Sequence, residues 1–170
     1  YAYLLSKKIK NKYFKSRSGV ENLSFVYEIA KKLKINDKII IRALNDFKNL
    51  PHRQQIVFEN EKAICINDSK ATSFDASLQS LLSYNKIYWI VGGKPKYLDE
   101  FNLKNVSKKI IKAYIIGKST SFFVNKIKKK IKYVVTHNIK NAVLEIYKDI
   151  QNKKEKNFTI LFSPAAASYD

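Results

Sequence analysis

One short segment, residues 66–72, gathers side chains that suit chemistry on an anionic ligand. Asp68 offers a carboxylate, Lys70 an ammonium, and Ser69 and Thr72 offer hydroxyls. The segment lies between an apolar run typical of a strand and a run with helical spacing. Helix N-termini favour anions because their free N–H groups and dipole are positive, and open α/β sheets bind ligands at such strand ends. The segment therefore predicts the rim of a ligand site.

Three other segments carry residue types that suit the same kind of site. Residues 50–53 place the Arg53 guanidinium, whose planar shape suits phosphate, directly after a proline and a histidine. Residues 92–96 begin with two glycines, which let a backbone pass close to a ligand, and end at Lys96. Residues 163–168 form a loop of mostly small side chains.

The elements that must position these segments follow from apolar spacing. Residues 20–50 predict two helices, because Phe25, Ile29 and Leu33, and then Ile39, Ile40, Leu44 and Phe47, recur at helical spacing, with Asn36 or Asp37 as N-cap of the second. The predicted strands are 55–58, 63–66, 87–91, 113–116, 133–135 and 158–162, and the first two suggest a hairpin. The predicted helices between them are 72–84, 106–111, 119–131 and 139–150. This alternation predicts an α/β fold: a Rossmann-like, mostly parallel sheet with flanking helices, preceded by a helical segment.

Composition limits the classes of protein that remain. Hydrophobic residues make up 45% and aromatic residues 13% of the 170 residues, which suits a folded domain, and the single Cys65 excludes a disulfide framework. No apolar run is long enough to cross a membrane, so we expect a cytoplasmic protein. The net charge of +19 admits a nucleic-acid-binding module. However, the lysines are dispersed and accompany abundant isoleucine and asparagine, the residues of AT-rich codons, which favours a solvated surface.

The four segments 50–53, 66–72, 92–96 and 163–168, in this order, resemble the C-terminal domain of the Mur ligase family. The resemblance runs from Leu50 to the end of the chain and is greatest to members that add D-glutamate to UDP-N-acetylmuramoyl-L-alanine in peptidoglycan precursor synthesis. It implies ATP-dependent ligation: a substrate carboxylate is phosphorylated to an acyl phosphate, which the amine of D-glutamate attacks. Such chemistry needs cations around the phosphate and donors that hold the amino acid in line.

The resemblance also implies roles for individual residues. Arg53 and Asp68 are implied to bind ATP, Arg53 at the phosphates and Asp68 as an acceptor for sugar or base. The residues implied to bind D-glutamate are Lys70, Thr72, Lys96 and Ser168. The alternatives are structural: Asp68, Ser69 or Thr72 as a helix N-cap, Arg53 and Lys96 as solvated surface cations, and a loop at 163–168 built only for tight packing.

The loop around Lys96 departs from the family. Lys94, Pro95 and Tyr97 stand where the family often has other residues, among them an acidic residue and glycines. Another amino acid substrate, or folate glutamylation, therefore stays an alternative to D-glutamate.

Two further features do not indicate sites. Residues 117–120 look like the tail of a phosphate-binding loop, but position 112 is lysine where that loop needs glycine. We therefore interpret Ser119 or Thr120 as a helix N-cap. His52 and His137 have no neighbours in the sequence with metal-ligand spacing, so we expect no metal ligands here.

The resemblance predicts two domains. Residues 1–50 would be the end of the central ATP-binding domain, and residues 51–170 the amino-acid-binding domain, ending before its last helix. ATP and Mg²⁺ would be held mainly by the rest of the central domain, so these residues alone are not expected to catalyse the reaction. We expect a monomer whose partners are small-molecule substrates, with no nucleic acid or membrane partner.

Overall fold

The computed structural model describes residues 7–48, 50–96 and 100–167, and the chain divides into two compact units. The first unit is Tyr1–Leu50 and the second is Pro51–Asp170. Each unit has its own hydrophobic core. No helix in the described ranges is long and apolar enough to cross a membrane.

Two helices, α1 (Arg17–Lys32) and α2 (Asp37–Asp46), build most of the first unit. A polar side chain caps each: Ser16 Oγ accepts a hydrogen bond from the Gly19 N–H, and Asn36 Oδ1 accepts one from the Lys38 N–H. Such caps satisfy N–H groups that have no partner within the helix. Of the two predicted caps for the second helix, Asn36 is therefore the one used.

The face that α1 buries differs from the apolar stripe that predicts the helix. Its buried side chains are Leu23, Tyr27 and Ala30. The residues of the predicted stripe, Phe25, Ile29 and Leu33, are each more than half exposed. Apolar spacing thus identified the helix correctly, but this helix has two apolar stripes, and spacing alone does not say which of them packs.

A six-stranded sheet forms the centre of the second unit, with the strand order β1-β2-β6-β3-β4-β5. All neighbours are parallel except β1 and β2, which form the predicted antiparallel hairpin. The strands are β1 (Gln55–Glu59), β2 (Ala63–Asn67), β3 (Ile87–Gly92), β4 (Ile110–Ile116), β5 (Tyr133–His137) and β6 (Phe158–Phe162). The helices between them are α3 (Phe74–Ser83), α4 (Thr120–Ile127) and α5 (Ile139–Gln151).

Both faces of this sheet are covered, as the alternation of elements predicts. Along β3, Trp89 points into the core that contains Phe74 of α3 and Phe123 of α4. Its neighbour Tyr88 points into the opposite core, which contains Ile146 of α5. All six residues of β3 are buried, which is why the strand reads as a continuous apolar run. The predicted α/β fold is confirmed.

One predicted helix is wrong. Residues 106–111 were expected to be helical, but only Ser107–Lys109 forms a short 3₁₀ turn, and Ile110 already belongs to β4. Ile110 pairs with Ile87 of β3, and β-branched side chains fit a pleated surface better than a helix. The helix expected at 119–131 is also shorter, because α4 ends at Ile127 and lysines follow it in a turn.

Candidate active site at the carboxyl edge of the sheet

The sheet topology brings the motif segments to one edge. The parallel strands β2, β6 and β3 are neighbours, so the segments that follow Asn67, Phe162 and Gly92 leave the sheet at the same end. Because β1 is antiparallel to β2, its first residue, Gln55, pairs with Asn67. The segment before β1, which carries Arg53, therefore lies at this carboxyl edge too, where open α/β sheets bind ligands.

A buried hydrogen-bond network centred on Asp68 joins these segments. Asp68 is only 6% exposed. Its Oδ2 accepts hydrogen bonds from Ser80 Oγ at 2.6 Å and from Ser163 Oγ at 2.9 Å, and its Oδ1 accepts one from the Gln54 N–H at 3.2 Å. Ser163 Oγ is also 2.8 Å from Ser77 Oγ. Since each hydroxyl has one proton, the order that satisfies all groups is Ser77 to Ser163 to Asp68.

The network joins helix α3 and three loops, those before β1, after β2 and after β6, around one carboxylate. Burial raises the pKa of Asp68, while the hydrogen bonds from Ser80, Ser163 and Gln54, and the charge of Arg53, act in the opposite direction. Burial, together with the charge of Asp68, also raises the pKa of Tyr84 to about 12. The Tyr84 hydroxyl donates to Gln54 Oε1 at 3.5 Å. Asp68 thus acts in the structure as a buried acceptor that positions the loops.

The Arg53 and Lys70 segments are held together by backbone and side-chain contacts of His52. The Lys70 N–H donates to the His52 carbonyl at 3.1 Å, and the Asn67 amide nitrogen lies 3.0 Å from His52 Nδ1. His52 has a left-handed backbone, with φ of 65°, which turns the chain sharply before Arg53. The Arg53 guanidinium and the Lys70 ammonium therefore lie on two loops that are hydrogen-bonded to each other.

The Gly92-Gly93 pair lets the loop after β3 pass very close to neighbouring backbone. A Cβ on Gly92, whose φ is 143°, would lie 2.1 Å from the Ile116 carbonyl oxygen, and one on Gly93 would lie 2.7 Å from the Ala167 carbonyl oxygen. The loop then pairs with the loop after β6, since the Lys94 N–H donates to the Ala167 carbonyl at 2.8 Å. The sequence predicted close approach to a ligand here, whereas the close approach in the structure is to the chain itself.

Four of the predicted site residues lie exposed at or beside this edge: Arg53, Lys70, Thr72 and Lys96. Asp68 is buried beneath them, and Ser168 lies outside the described residues. The helix-cap alternatives for Asp68, Ser69 and Thr72 are wrong, because Ser73 Oγ accepts the hydrogen bond from Ala76 N–H and caps α3. Ser119 occupies the N-cap position of α4 without a side-chain cap hydrogen bond.

Sequence reasoning missed the serine side of the network. Ser77 and Ser80 are fully buried on α3, on the same face as Phe74 and Leu81. A serine on the apolar face of a helix must find a buried partner, because an unpaired hydroxyl costs free energy there. That pattern is visible in the sequence and points to the carboxylate at the end of the preceding strand.

The edge fits an anionic ligand better than a metal ion. Arg53, Lys70 and Lys96 supply cationic donors there, and a guanidinium and ammonium groups suit phosphate and carboxylate oxygens. In the ranges that the structure describes, no group of three or more His, Cys, Asp or Glu side chains could hold a metal. We therefore assign no metal ligand to these residues.

Comparison with known proteins gives a consistent set of relatives. No protein-family model matches the sequence. UDP-N-acetylmuramoylalanine--D-glutamate ligase from Wolbachia sp. subsp. Brugia malayi (strain TRS) is 38% identical over 156 residues, which are 90% of this chain and 30% of that protein. The enzyme of the same name from Rickettsia bellii is 32% identical over all 170 residues, which cover 38% of its length. The chain thus spans about a third of these relatives.

Solved structures match at the level of the fold. MurF from Acinetobacter baumannii aligns over 86% of this chain and 35% of its own, with a TM-score of 0.56 and 17% identity. A folylpolyglutamate synthase/dihydrofolate synthase from Yersinia pestis, complexed with AMPPNP and a Mn ion, aligns over 89% of this chain and 37% of its own, with a TM-score of 0.55 and 16% identity. Over 90% or more of its length, the chain is similar to the C-terminal portion of the D-glutamate ligases of the Mur ligase family.

Proposed function

We propose that the full protein containing this chain is an ATP-dependent ligase that adds D-glutamate to UDP-N-acetylmuramoyl-L-alanine. The observation that carries the proposal is the match to ligases of this name over 90% or more of the chain. The exposed cations at the carboxyl edge support it, because the reaction handles phosphate and carboxylate groups. The product would be an amide formed through an acyl phosphate.

Within this proposal, Arg53 contacts the phosphates of ATP and stabilises the charge that develops as the γ-phosphoryl group moves. ATP and Mg²⁺ would be bound mainly by parts of the protein outside this chain. Asp68 holds the loop of Lys70 in place through its hydrogen bonds. A carboxylate has about four acceptor sites, so Oδ1 keeps one for a nucleotide hydroxyl or amino group.

Lys70, Thr72 and Lys96 are proposed to hold the carboxylates of D-glutamate, with Ser168 as a further donor. Fixed donors at both carboxylates leave the amine free to attack the acyl phosphate in line. The pairing of Lys94 with Ala167 joins the loop of Lys96 to the loop that leads to Ser168 by backbone hydrogen bonds. A shift in either loop would therefore change amino acid binding.

The domain assignment is part of the proposal. Residues 1–50 would complete the central ATP-binding domain, and residues 51–170 would form the amino-acid-binding domain. Domain closure around the substrates would then bring Arg53 and Lys96 to the reacting groups. A reaction that consumes ATP and a nucleotide-linked substrate is expected in the cytoplasm, with a monomer as the working unit.

The test is phosphate release by the full-length protein. Release that requires both UDP-N-acetylmuramoyl-L-alanine and D-glutamate would support the proposal. Release with another amino acid in a panel would keep the family and change the substrate, which the unusual residues Lys94 and Pro95 make worth testing. No release with any amino acid would refute the proposed activity.

Variants then test the residue roles. Lys96→Ala should raise the KM for D-glutamate about 10- to 100-fold, because a charge-assisted hydrogen bond contributes about 1.5–3 kcal/mol. Arg53→Ala should instead lower kcat/KM for ATP. The matched control is Lys108→Ala, which removes an exposed lysine away from the motif segments and should change neither constant. An unchanged KM for D-glutamate in Lys96→Ala would remove Lys96 from the site.

A further inference from the structure

A second cationic site lies at the opposite, amino edge of the sheet. A cleft of about 790 Å³ there is lined by residues from the first halves of β3 and β4, from the turn before β5 and from the segment between α5 and β6. Parallel strands have all their carboxyl ends at one edge, so this cleft is separate from the candidate active site. None of the residues assigned to D-glutamate or ATP lines it.

The cleft is strongly positive. Six lysines line it: Lys112, Lys128, Lys129, Lys130, Lys132 and Lys153. Asp149 also lines it, and its Oδ2 lies 2.7 Å from Lys112 Nζ and accepts a hydrogen bond from the Tyr114 hydroxyl. Burial would raise the pKa of Asp149, but these hydrogen bonds and the charges of Lys112 and Lys153 together hold it below its usual value. Lys112 therefore neutralises Asp149, and the other lysines leave a net positive charge.

Tyr88 gives an independent indication of a ligand. It lines the cleft and is 1% exposed, and its hydroxyl is buried with no hydrogen-bond partner among the described residues. A buried donor without a partner costs about 1–3 kcal/mol, so it calls for an explanation. The Lys153 ammonium lies 5.8 Å from the centre of the Tyr88 ring. An anion held by this ammonium would therefore lie near the ring that carries the unpartnered hydroxyl.

Solvated lysines at a helix end explain only part of this arrangement. Lys128, Lys129 and Lys130 follow the C-terminus of α4, where cations interact well with the helix dipole, and Lys130 Nζ donates to the Phe101 carbonyl. Lys153 likewise follows the C-terminus of α5, but no helix terminus explains the Tyr88 hydroxyl. A ligand that accepts a hydrogen bond from the Tyr88 hydroxyl and forms ion pairs with the lysines explains both the lysine cluster and the unpartnered hydroxyl.

We propose that this cleft binds a small molecule with two or more phosphate groups. Its volume falls in the range of small-molecule sites, and ammonium groups suit phosphate oxygens. One phosphate oxygen would accept a hydrogen bond from the Tyr88 hydroxyl. Lys153 and the lysines around Lys130 would neutralise the remaining phosphate charge. A nucleic acid fits less well, because the Tyr88 ring is buried and Tyr133 is the one exposed ring among the lining residues on which a base could stack.

The test uses inorganic pyrophosphate as the probe and isothermal titration calorimetry on the full-length protein. Tyr88→Phe should weaken binding at least ten-fold, and Lys153→Ala at least five-fold. The matched control is Lys140→Ala, which removes an exposed lysine of α5 outside the cleft and should change affinity less than two-fold. Arg53→Ala separates the two edges, since loss of binding only in that variant would place pyrophosphate in the candidate active site.

A thermal unfolding measurement keeps the test valid if folding changes. Without pyrophosphate, Tyr88→Phe should melt no lower than wild type, because it removes only an unpartnered hydroxyl. With saturating pyrophosphate, wild type should gain more in melting temperature than Tyr88→Phe. Equal gains would overturn the proposal. So would equal losses of affinity in Lys153→Ala and Lys140→Ala, or salt-sensitive binding of a DNA duplex that displaces pyrophosphate and is unaffected by Tyr88→Phe.

Discussion

Replacing Asp68 with alanine should lower the free energy of unfolding of the second unit by about 3 kcal/mol. The carboxylate accepts hydrogen bonds from Ser80, Ser163 and the Gln54 N–H, and both serines are fully buried. Each buried donor left without a partner costs about 1–3 kcal/mol. The total cost of these unpaired donors is partly offset, because burying the charged carboxylate of Asp68 is itself unfavourable, as its raised pKa indicates.

The conservative variant Asp68→Asn should cost only about 1 kcal/mol. Its carbonyl oxygen can still accept from the Gln54 N–H, and its amide nitrogen can donate to the serine oxygens. The matched control is Asp75→Ala, which removes an exposed carboxylate from the first turn of α3. It should cost about 0.5 kcal/mol, through the helix dipole alone.

The single tryptophan gives a direct assay of this unit. Trp89 is fully buried, and its Nε1 donates to the Ser163 carbonyl at 2.8 Å, so its fluorescence reports on the strand ends that Asp68 joins. Urea unfolding followed at Trp89 gives the free energy for each variant, provided that the slope with urea stays constant. If Asp68→Ala cost no more than Asp75→Ala, Asp68 would not organise the loops.

The pH dependence gives a second check on the same residue. Because the pKa of Asp68 is raised in the folded state, the folded protein holds this proton more tightly than the unfolded chain. This contribution to stability is fully present below the ordinary pKa of 3.8 and is lost as pH rises through the folded value. The free energy of unfolding of the wild type should therefore exceed that of Asp68→Asn by the largest amount at low pH. A difference that grew with pH would contradict a raised pKa of Asp68.

Three further variants test other parts of the structure. Gly92→Ala should cost about 3 kcal/mol or more in urea unfolding, since its Cβ would meet the Ile116 carbonyl at 2.1 Å, and a cost near zero would contradict the loop geometry. Asp149→Asn should lose more stability at about pH 7 than at about pH 3. The pKa of Asp149 is lowered in the folded protein, so the ionised carboxylate stabilises the fold above the pKa of the unfolded chain, and this contribution is lost as pH falls through the pKa of the folded protein. Asn36→Ala should lower the helicity of the first unit in circular dichroism and cost about 1 kcal/mol, and equal helicity would show that the cap contributes nothing.

The fold followed from the sequence because its strands are unusually clear. β3 is buried along its whole length, and β6 occupies the predicted residues 158–162. The failures lie where two signals compete. Residues 106–111 combine a helical turn with β-branched residues, and pairing of Ile110 with β3 decides the outcome. Such pairing depends on a strand far away in the sequence.

Six site residues were predicted, and four of them, Arg53, Lys70, Thr72 and Lys96, lie exposed at or beside one edge. Their roles toward ATP and D-glutamate stay predictions. What the sequence did not indicate is the support beneath them, in which Ser80 and Ser163 come from 12 and 95 residues away to meet Asp68. A contact of this kind depends on tertiary packing, and only the placement of serines on the apolar face of α3 points to it.

In a chain with a net charge of +19, lysine content alone identifies no site, because most lysines can be met by water. A lysine cluster indicates a site only where a buried polar group beside it has hydrogen bonds that depend on that place in the fold. At the carboxyl edge that group is Asp68, whose bonds fix the loops that present Arg53 and Lys70. At the amino edge it is Tyr88, whose hydroxyl still needs an acceptor. The two edges of the sheet therefore differ in one respect: the protein itself satisfies the buried polar group at the carboxyl edge, whereas at the amino edge the proposed ligand would do so.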